Sequence, residues 1–162
     1  MRVGIGYDLH PLVKDRALIL GGVTIPFDLG LDGHSDADVL CHAIADALLG
    51  GGALGDIGEH FPDTDPSYRN SSSLLLLGET ARIVRTAGYD IVNVDATILA
   101  ERPKLSAYKK QMTGNIAAAL SVSETAVSVK ATTNEGMDAV GRGEAIAVYA
   151  VAFLTGTKPG NG

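Results

Sequence analysis

The sequence predicts an α+β domain of two layers, with helices packed against one β-sheet. Apolar residues alternate in strand-like runs and recur at spacings of three and four in helix-like runs, and the two kinds of run are interleaved. The 162 residues, 46% of them hydrophobic, are enough for one sizeable core and crowded for two. Residues 1–156 are therefore read as a single domain and 157–162 as a disordered tail. Trp is absent and aromatics are 5%, so the core must be built from Val, Ile, Leu and Ala.

The first element is a strand over Arg2–Asp8, carrying Val3 and Ile5 among small residues. Ala17–Leu20 and Val23–Ile25 flank Gly21-Gly22, a hairpin signal. From Asp36 to Leu49 the positions Val39, Leu40, Ile44, Ala47 and Leu48 predict a helix. Ser35 is expected as its N-cap, Asp36 and Asp38 sit in its first turn, and Gly50-Gly51-Gly52 ends it. Gly55–Asn70 reads as a long polar loop, a kind of segment that compact domains keep when they use it. A second helix is expected over Ser72–Ala87, closed by Gly88. Ile91–Leu99 reads as a strand broken by Glu101-Arg102-Pro103-Lys104, and Leu105–Leu120 as a third helix. Ala126–Ala131 is a strand, Thr132–Arg142 a polar loop and Glu144–Leu154 a final strand. The succession is read as a ferredoxin-like mixed sheet with helices on one face, plus an N-terminal β-hairpin.

Composition narrows function. Thirteen positive against nineteen negative side chains give −6, which argues against a nucleic-acid partner. A small anionic substrate stays possible, because a metal ion or a helix N-terminus supplies positive potential locally. The single cysteine, Cys41, forms no intrachain disulfide and implies no oxidising compartment. No leader pattern or membrane-spanning apolar run is present, so the expected address is cytoplasmic.

Four clusters can carry chemistry. Asp8 and His10, two apart in an extended segment, point to one side, and His42 in a helix can join them from the opposite wall. Two imidazoles and a carboxylate match a catalytic zinc site; equally, Asp-x-His pairs arise by chance and helix histidines are ordinarily surface or core residues. His34-Ser35-Asp36-Ala37-Asp38 opens a helix whose free N–H groups suit a phosphate, or is simply a cap with dipole-compensating acids. Asp56, Asp63 and Asp65, held by Gly55, Gly58 and Pro62, suit the hydroxyls of a polyol, or make local Asx turns. Lys130-Ala131-Thr132-Thr133-Asn134-Glu135 ends a strand in hydroxyls and a carboxylate that can serve phosphate and a hard cation, or is ordinary turn chemistry. A P-loop and a Gly-x-Ser-x-Gly elbow are both missing.

Together these motifs resemble the 2-C-methyl-D-erythritol 2,4-cyclodiphosphate synthase family of the non-mevalonate isoprenoid pathway, from Gly4-Ile5-Gly6-Tyr7-Asp8-Leu9-His10 to Gly141-Arg142-Gly143-Glu144. Further matching stretches are His34–Asp38 with His42, Asp46–Gly50, Leu54–Gly58, Phe61–Pro66, Arg102-Pro103-Lys104 and Lys130–Thr133. The resemblance implies a lyase acting on 4-diphosphocytidyl-2-C-methyl-D-erythritol 2-phosphate, whose 2-phosphate attacks the β-phosphorus and releases CMP. It implies a homotrimer with active sites between subunits. It assigns Asp8, His10 and His42 to one Zn²⁺ per subunit and Glu135 to a second cation, Mg²⁺ or Mn²⁺. His34 and Thr133 would orient and stabilise the diphosphate, with Ser35 beside it. Asp56, Gly58, Phe61, Asp63 and Asp65 would hold the erythritol. The stretch from Ala100 to Ser106, with Pro103, Lys104 and Leu105 in it, together with Ala131 and Thr132, would line the cytidine pocket, largely through backbone atoms.

Two departures stand out. The family commonly has Gly where this chain has Ala37, a change expected to add one methyl within a helix. It often has Gly followed by an aromatic where Asp138 and Ala139 stand, beside Arg142 and an axial cavity able to hold an isoprenoid diphosphate. That secondary binding is expected to be weak here. A zinc-dependent phosphohydrolase, releasing orthophosphate, and a non-catalytic metal-stabilised trimeric scaffold are the competing readings.

Overall fold

The computed structural model describes residues 1–33, 35–62 and 71–157. Strand β1 (Arg2–Val13) is followed by β2 (Leu18–Leu20), β3 (Val23–Ile25) and β4 (Gly30–Leu31). Helices α1 (Val39–Gly52), α2 (Ile57–His60) and α3 (Ser73–Thr86) lead to β5 (Tyr89–Leu99). Helix α4 (Lys109–Leu120), a 3-10 turn (Glu124–Ala126), β6 (Val127–Thr132), α5 (Asp138–Gly141) and β7 (Ala145–Gly156) complete the order.

One mixed sheet runs β4-β1-β7-β5-β6, and β2 and β3 form the separate hairpin expected at Gly21-Gly22. Only β5 and β6 pair in parallel, because α4 crosses between them; the other pairs are antiparallel. The ferredoxin-like expectation is corrected here. Such a unit orders its elements strand–helix–strand–strand–helix–strand, whereas the long elements of this chain run strand–helices–strand–helix–strand–strand. The last strand lies between β1 and β5.

The helices cover one face of the sheet, as expected. Ile146, Val148, Ala150, Ala152 and Leu154 of β7 turn inward, while Tyr149 and Val151 turn out. Helix α1 is buried nearly all round, and apart from Cys41 its only polar side chains are His42 and Asp46, one turn apart. It lies directly on β1: a Cβ at Gly4 or Gly6 would come within 1.9 Å of the carbonyl oxygens of Ala47 and Ala43. The opposite face exposes Val3, Ile5, Tyr7 and Leu9 of β1, with Ile5 at 68% exposure. Tyr7 and Tyr149 pair there with ring centroids 4.8 Å apart.

The start of α1 differs from expectation. Ser35 is not the cap: Ser35 and Ala37 both have φ 55, the left-handed region, which excludes them from a right-handed helix. Asp38 caps instead, its Oδ1 accepting from Cys41 N at 3.1 Å. The same carboxylate accepts from Gly21 N at 3.0 Å and Gly22 N at 2.7 Å, tying the hairpin turn to the helix. Ala37 thus stands in a strained turn and not within the helix, which is where a glycine has its advantage. At the other end α1 continues through Gly50–Gly52 and stops at left-handed Ala53. Within the polar loops, Ile57–His60 and Asp138–Gly141 form single helical turns. Thr157 remains tied to Gly88 O, and residues 158–162 lie outside those described.

Candidate active site

Asp8 and His10 reach inward from β1 and meet His42 from the first turn of α1. His10 Nε2 lies 2.9 Å and His42 Nδ1 3.1 Å from Asp8 Oδ2, and the two nitrogens are 3.3 Å apart. An ion bound tetrahedrally at about 2.0–2.2 Å sets its ligands roughly 3.3 Å from one another, so this donor set fits a metal such as zinc. Burial pushes the Asp8 carboxyl up, but hydrogen bonds and charge from His10 and His42 outweigh it and hold it well below its usual range. Burial lowers His10, and the Asp8 carboxylate together with the Asp32 carbonyl more than restores it, leaving the imidazole raised.

The outer nitrogens of both rings are also engaged. His10 Nδ1 donates to Asp32 O at 2.6 Å. His42 Nε2 lies 3.0 Å from Ser73 Oγ and 3.3 Å from Ser35 Oγ. Ser73 Oγ in turn donates to Asp36 Oδ1, and Ser73 N donates to Asp36 Oδ2 at 3.1 Å. Asp32, Asp36 and Ser73 were not singled out as site residues by sequence. Their signal is conformational, since nothing in the sequence brings Ser73 beside His42.

One turn beyond His42, Asp46 accepts from Ile57 N at 2.8 Å and so anchors α2. Burial, with the nearby Asp56 and Asp8 charges, raises its carboxyl against that bond. Asp56 caps α2 by accepting from Glu59 N at 3.0 Å, Gly58 lies within the turn, and Phe61 closes it. His34, Asp63 and Asp65 lie outside the described residues.

A second site opens where the parallel strands β5 and β6 end, the edge of an α/β sheet at which ligands generally bind. This cleft of about 320 Å³ is lined by Ala131, Thr132 and, of the expected stretch 100–106, every residue but Arg102, together with Thr133 and Lys109. Lys104 and Lys109 give it positive charge. The loop beyond it is held by Glu101, whose Oε1 accepts from Asn134 N at 2.9 Å and Gly136 N at 3.1 Å. That grip brackets Glu135, which adopts φ 51 and accepts from Thr133 Oγ1 at 3.3 Å. Sequence reading included Glu101 in the pocket-lining stretch but not as the residue that holds this loop.

The cleft and the Asp8–His10–His42 trio share no residue. Asp8, Val148, Ile98 and Ala131 form one row across the sheet. Three steps along that row, at roughly 4.8 Å each, separate trio and cleft by about 14 Å.

Asp138 and Ala139 line a separate hollow of about 260 Å³ with Tyr7, Leu9 and Tyr149. The Asp138 carboxylate is engaged locally, accepting from Val140 N at 2.8 Å and Asn134 Nδ2 at 2.9 Å. Asp138 has φ 58, like Ala37 a left-handed position where a glycine is at ease. Arg142 pairs with Glu144 at 2.9 Å.

Among the described residues no helix is long and apolar enough to cross a membrane. A model of the YgbB family matches residues 1–155. The 2-C-methyl-D-erythritol 2,4-cyclodiphosphate synthase of Desulfosudis oleivorans is 61% identical over 154 residues, covering 95% of this chain and 92% of that protein. The bifunctional IspDF of Campylobacter jejuni superposes with a TM-score of 0.93 at 41% identity, over 97% of this chain and 42% of that longer one. IspF of Plasmodium falciparum in complex with CDP gives a TM-score of 0.84 at 33% identity, over 97% of each chain. A family match over residues 1–155 and more than half of all positions shared with a curated relative lead to one conclusion: the chain belongs to the YgbB family.

Proposed function

We propose that this chain converts 4-diphosphocytidyl-2-C-methyl-D-erythritol 2-phosphate into 2-C-methyl-D-erythritol 2,4-cyclodiphosphate and CMP. The cyclodiphosphate synthase activity, a lyase step of isoprenoid biosynthesis, follows from the family; the chain's own residues suggest how the work is divided. The observation that carries the reading is the convergence of Asp8, His10 and His42 on one point in a chain so close to a named synthase.

An oxygen of the 2-phosphate forms a bond to the β-phosphorus as the bond from that phosphorus to the CMP oxygen breaks. The nucleophile belongs to the substrate, so the protein's task is positioning and charge neutralisation. When bound, Zn²⁺ at the trio and Mg²⁺ or Mn²⁺ at Glu135 supply positive charge to the phosphate oxygens. The cleft residues hold cytosine and ribose, with Lys104 and Lys109 beside the phosphates. Thr133 and His34 orient the diphosphate, and Asp56, Gly58 and residues 61–65 hold the erythritol.

The same reading makes the active protein a homotrimer with sites between subunits. The exposed apolar face of β1 and β7 supports it, as such a surface is suited to burial against other copies. So does the gap of about 14 Å between trio and cleft, which a neighbouring copy's cleft could close. Phosphorus NMR of the protein with the diphosphocytidyl substrate and Mg²⁺ tests the function: a cyclic diphosphate with CMP is expected, and orthophosphate would overturn it in favour of a phosphohydrolase.

A further inference from the structure

We propose that Glu101 is a positioning residue whose carboxylate sets the place of Glu135, and so shapes the second cation's site from the end of the neighbouring strand. The inference rests on the reading of Glu135 as the ligand of that cation. Backbone N–H groups in a turn that includes a left-handed residue can form a concavity that holds an anion. Here the N–H groups of Asn134 and Gly136 point at one atom, Glu101 Oε1, at 2.9 Å and 3.1 Å. Glu135 lies between them at φ 51, and Gly136 follows at φ 77. A residue with a side chain disfavours that left-handed form, so Glu135 needs its flanks held to stay there. Glu101 is the partner that the two flanking amides share.

Glu101 is itself firmly placed. The β5–β6 ladder ends with Leu99 beside Thr132, and Ala100 N donates to Thr132 O at 3.0 Å, so Glu101 leaves directly from the end of the sheet. The loop it grips is closed by a turn of its own, in which Met137 N donates to Asn134 O at 2.8 Å. Thr133 Oγ1 donates to Glu135 Oε1 at 3.3 Å and ties that carboxylate to a residue lining the cleft. Electrostatics point the same way. The cleft, with Lys104 and Lys109 on its walls, reads as the seat of a diphosphate, where a further carboxylate would repel the ligand. Turned onto two amides, the charge of Glu101 is met within the protein. Groups that orient a metal ligand from behind commonly matter this much, and removing one costs roughly 10–100-fold in metal affinity or activity.

A carboxylate that grips amides and one that serves by its charge make different demands on position 101. Gln keeps an oxygen able to accept both N–H bonds and loses the charge, whereas Ala loses both. The experiment uses the zinc-loaded full chain with saturating CDP, and the EPR signal of free Mn²⁺ reports Mn²⁺ affinity. Wild type is compared with Glu101→Gln, Glu101→Ala, Glu135→Gln and the double variant Glu101→Ala/Glu135→Gln. Affinity is expected to fall roughly tenfold in Glu101→Ala and to stay within about threefold of wild type in Glu101→Gln. The double variant should lose no more than Glu135→Gln alone, because Glu101 acts through Glu135. The proposal is overturned by a loss in Glu101→Gln as large as in Glu101→Ala, or by losses that add in the double variant. Affinity in Glu101→Ala within about twofold of wild type overturns it as well. Hydrogen exchange in the wild-type chain decides whether or not the variants fold. The amides of Asn134 and Gly136 are expected to exchange at least about tenfold more slowly than in an open chain, and free exchange at both overturns the proposal. Unchanged Mn²⁺ affinity in Glu135→Gln overturns instead the reading of Glu135 on which the proposal rests.

Discussion

His10 and His42 reach the same Asp8 oxygen from different layers of the fold, one from a strand at 2.9 Å and one from a helix at 3.1 Å, with their facing nitrogens 3.3 Å apart. The layers are held together by an extensive core that does not involve these residues.

His42→Ala is therefore expected to lose bound zinc, from about one ion per chain to nearly none, while circular dichroism and the melting profile stay close to those of the metal-free wild type. Elemental mass spectrometry of the purified variant reads this directly. Full zinc occupancy would remove His42 from the ligand set.

The metal-free protein should respond to pH in a defined sense. His10 is raised above its usual 6.5, so its contribution is complete below about 6.5 and is lost as pH rises through the folded value. Asp8 is depressed below its usual 3.8, so its contribution holds above about 3.8 and is lost as pH falls through the folded value. Between those limits the pair stabilises most, and the metal-free melting temperature should fall from about pH 6 to about pH 8. Zinc affinity runs the other way, because the ion requires neutral imidazoles. Thermal melts and chelator competition at both pH values check the opposed slopes.

Asp38→Ala should be costly although the Asp38 carboxylate bonds backbone amides and none of the trio's side chains. The carboxylate is fully buried and accepts from three backbone N–H groups. Leaving them unpaired should cost about 3–5 kcal/mol. A melting temperature lower by roughly 10 °C is expected, and a shift within about 2 °C would mean that water satisfies the freed amides.

Glu135→Gln should keep its zinc but need more Mg²⁺ for half-maximal turnover, since a neutral amide is a poorer ligand for a hard cation. Magnesium titrations of activity at fixed zinc content are the measurement. An unchanged requirement would place the second cation elsewhere.

Geranyl or farnesyl diphosphate should bind weakly to the hollow formed by Tyr7, Leu9, Asp138 and Ala139. Ala139 adds no aromatic side chain to those of Tyr7 and Tyr149, and a Phe-sized one is worth roughly 1.5–3 kcal/mol of apolar burial. Calorimetry on the native protein and on Asp138→Gly/Ala139→Phe compares them, and tight binding by the native protein without gain in the double variant would show that these positions do not govern the hollow.

Much of this architecture is legible in the sequence where a pattern is local. Val94, Ala96 and Ile98 announce β5 by alternation, and Gly21-Gly22 announces the hairpin. Legibility fails where a partner comes from far along the chain. The cap of α1 is Asp38 and not Ser35 because left-handed backbone and two hairpin amides decide it. Strand β1 runs on to Val13 because pairing with β7 carries it through polar Asp8 and His10 as far as Pro11, and β4 pairs with Leu12 and Val13. The Asp8–His10–His42 trio was legible from residue type, and the stretch that lines the cleft from family likeness. Ser73 and the loop-holding role of Glu101 were not, since a serine at a helix start and a glutamate before a turn look ordinary until the fold sets them against His42 and the Glu135 loop.

The absence of side chains at Gly4 and Gly6 works as a spacer of zero thickness. With nothing between them, the backbone of α1 rests on β1, and a Cβ at Gly6 would come within 1.9 Å of Ala43 O, the residue next to His42. The spacing of the three proposed ligands is therefore a dimension of the layer stacking as much as of the side chains themselves. A methyl at Gly6 would act as a wedge, lifting the helix and drawing His42 away from Asp8 with every ligand still present. Loss of metal could then be inherited through a position that never meets the ion.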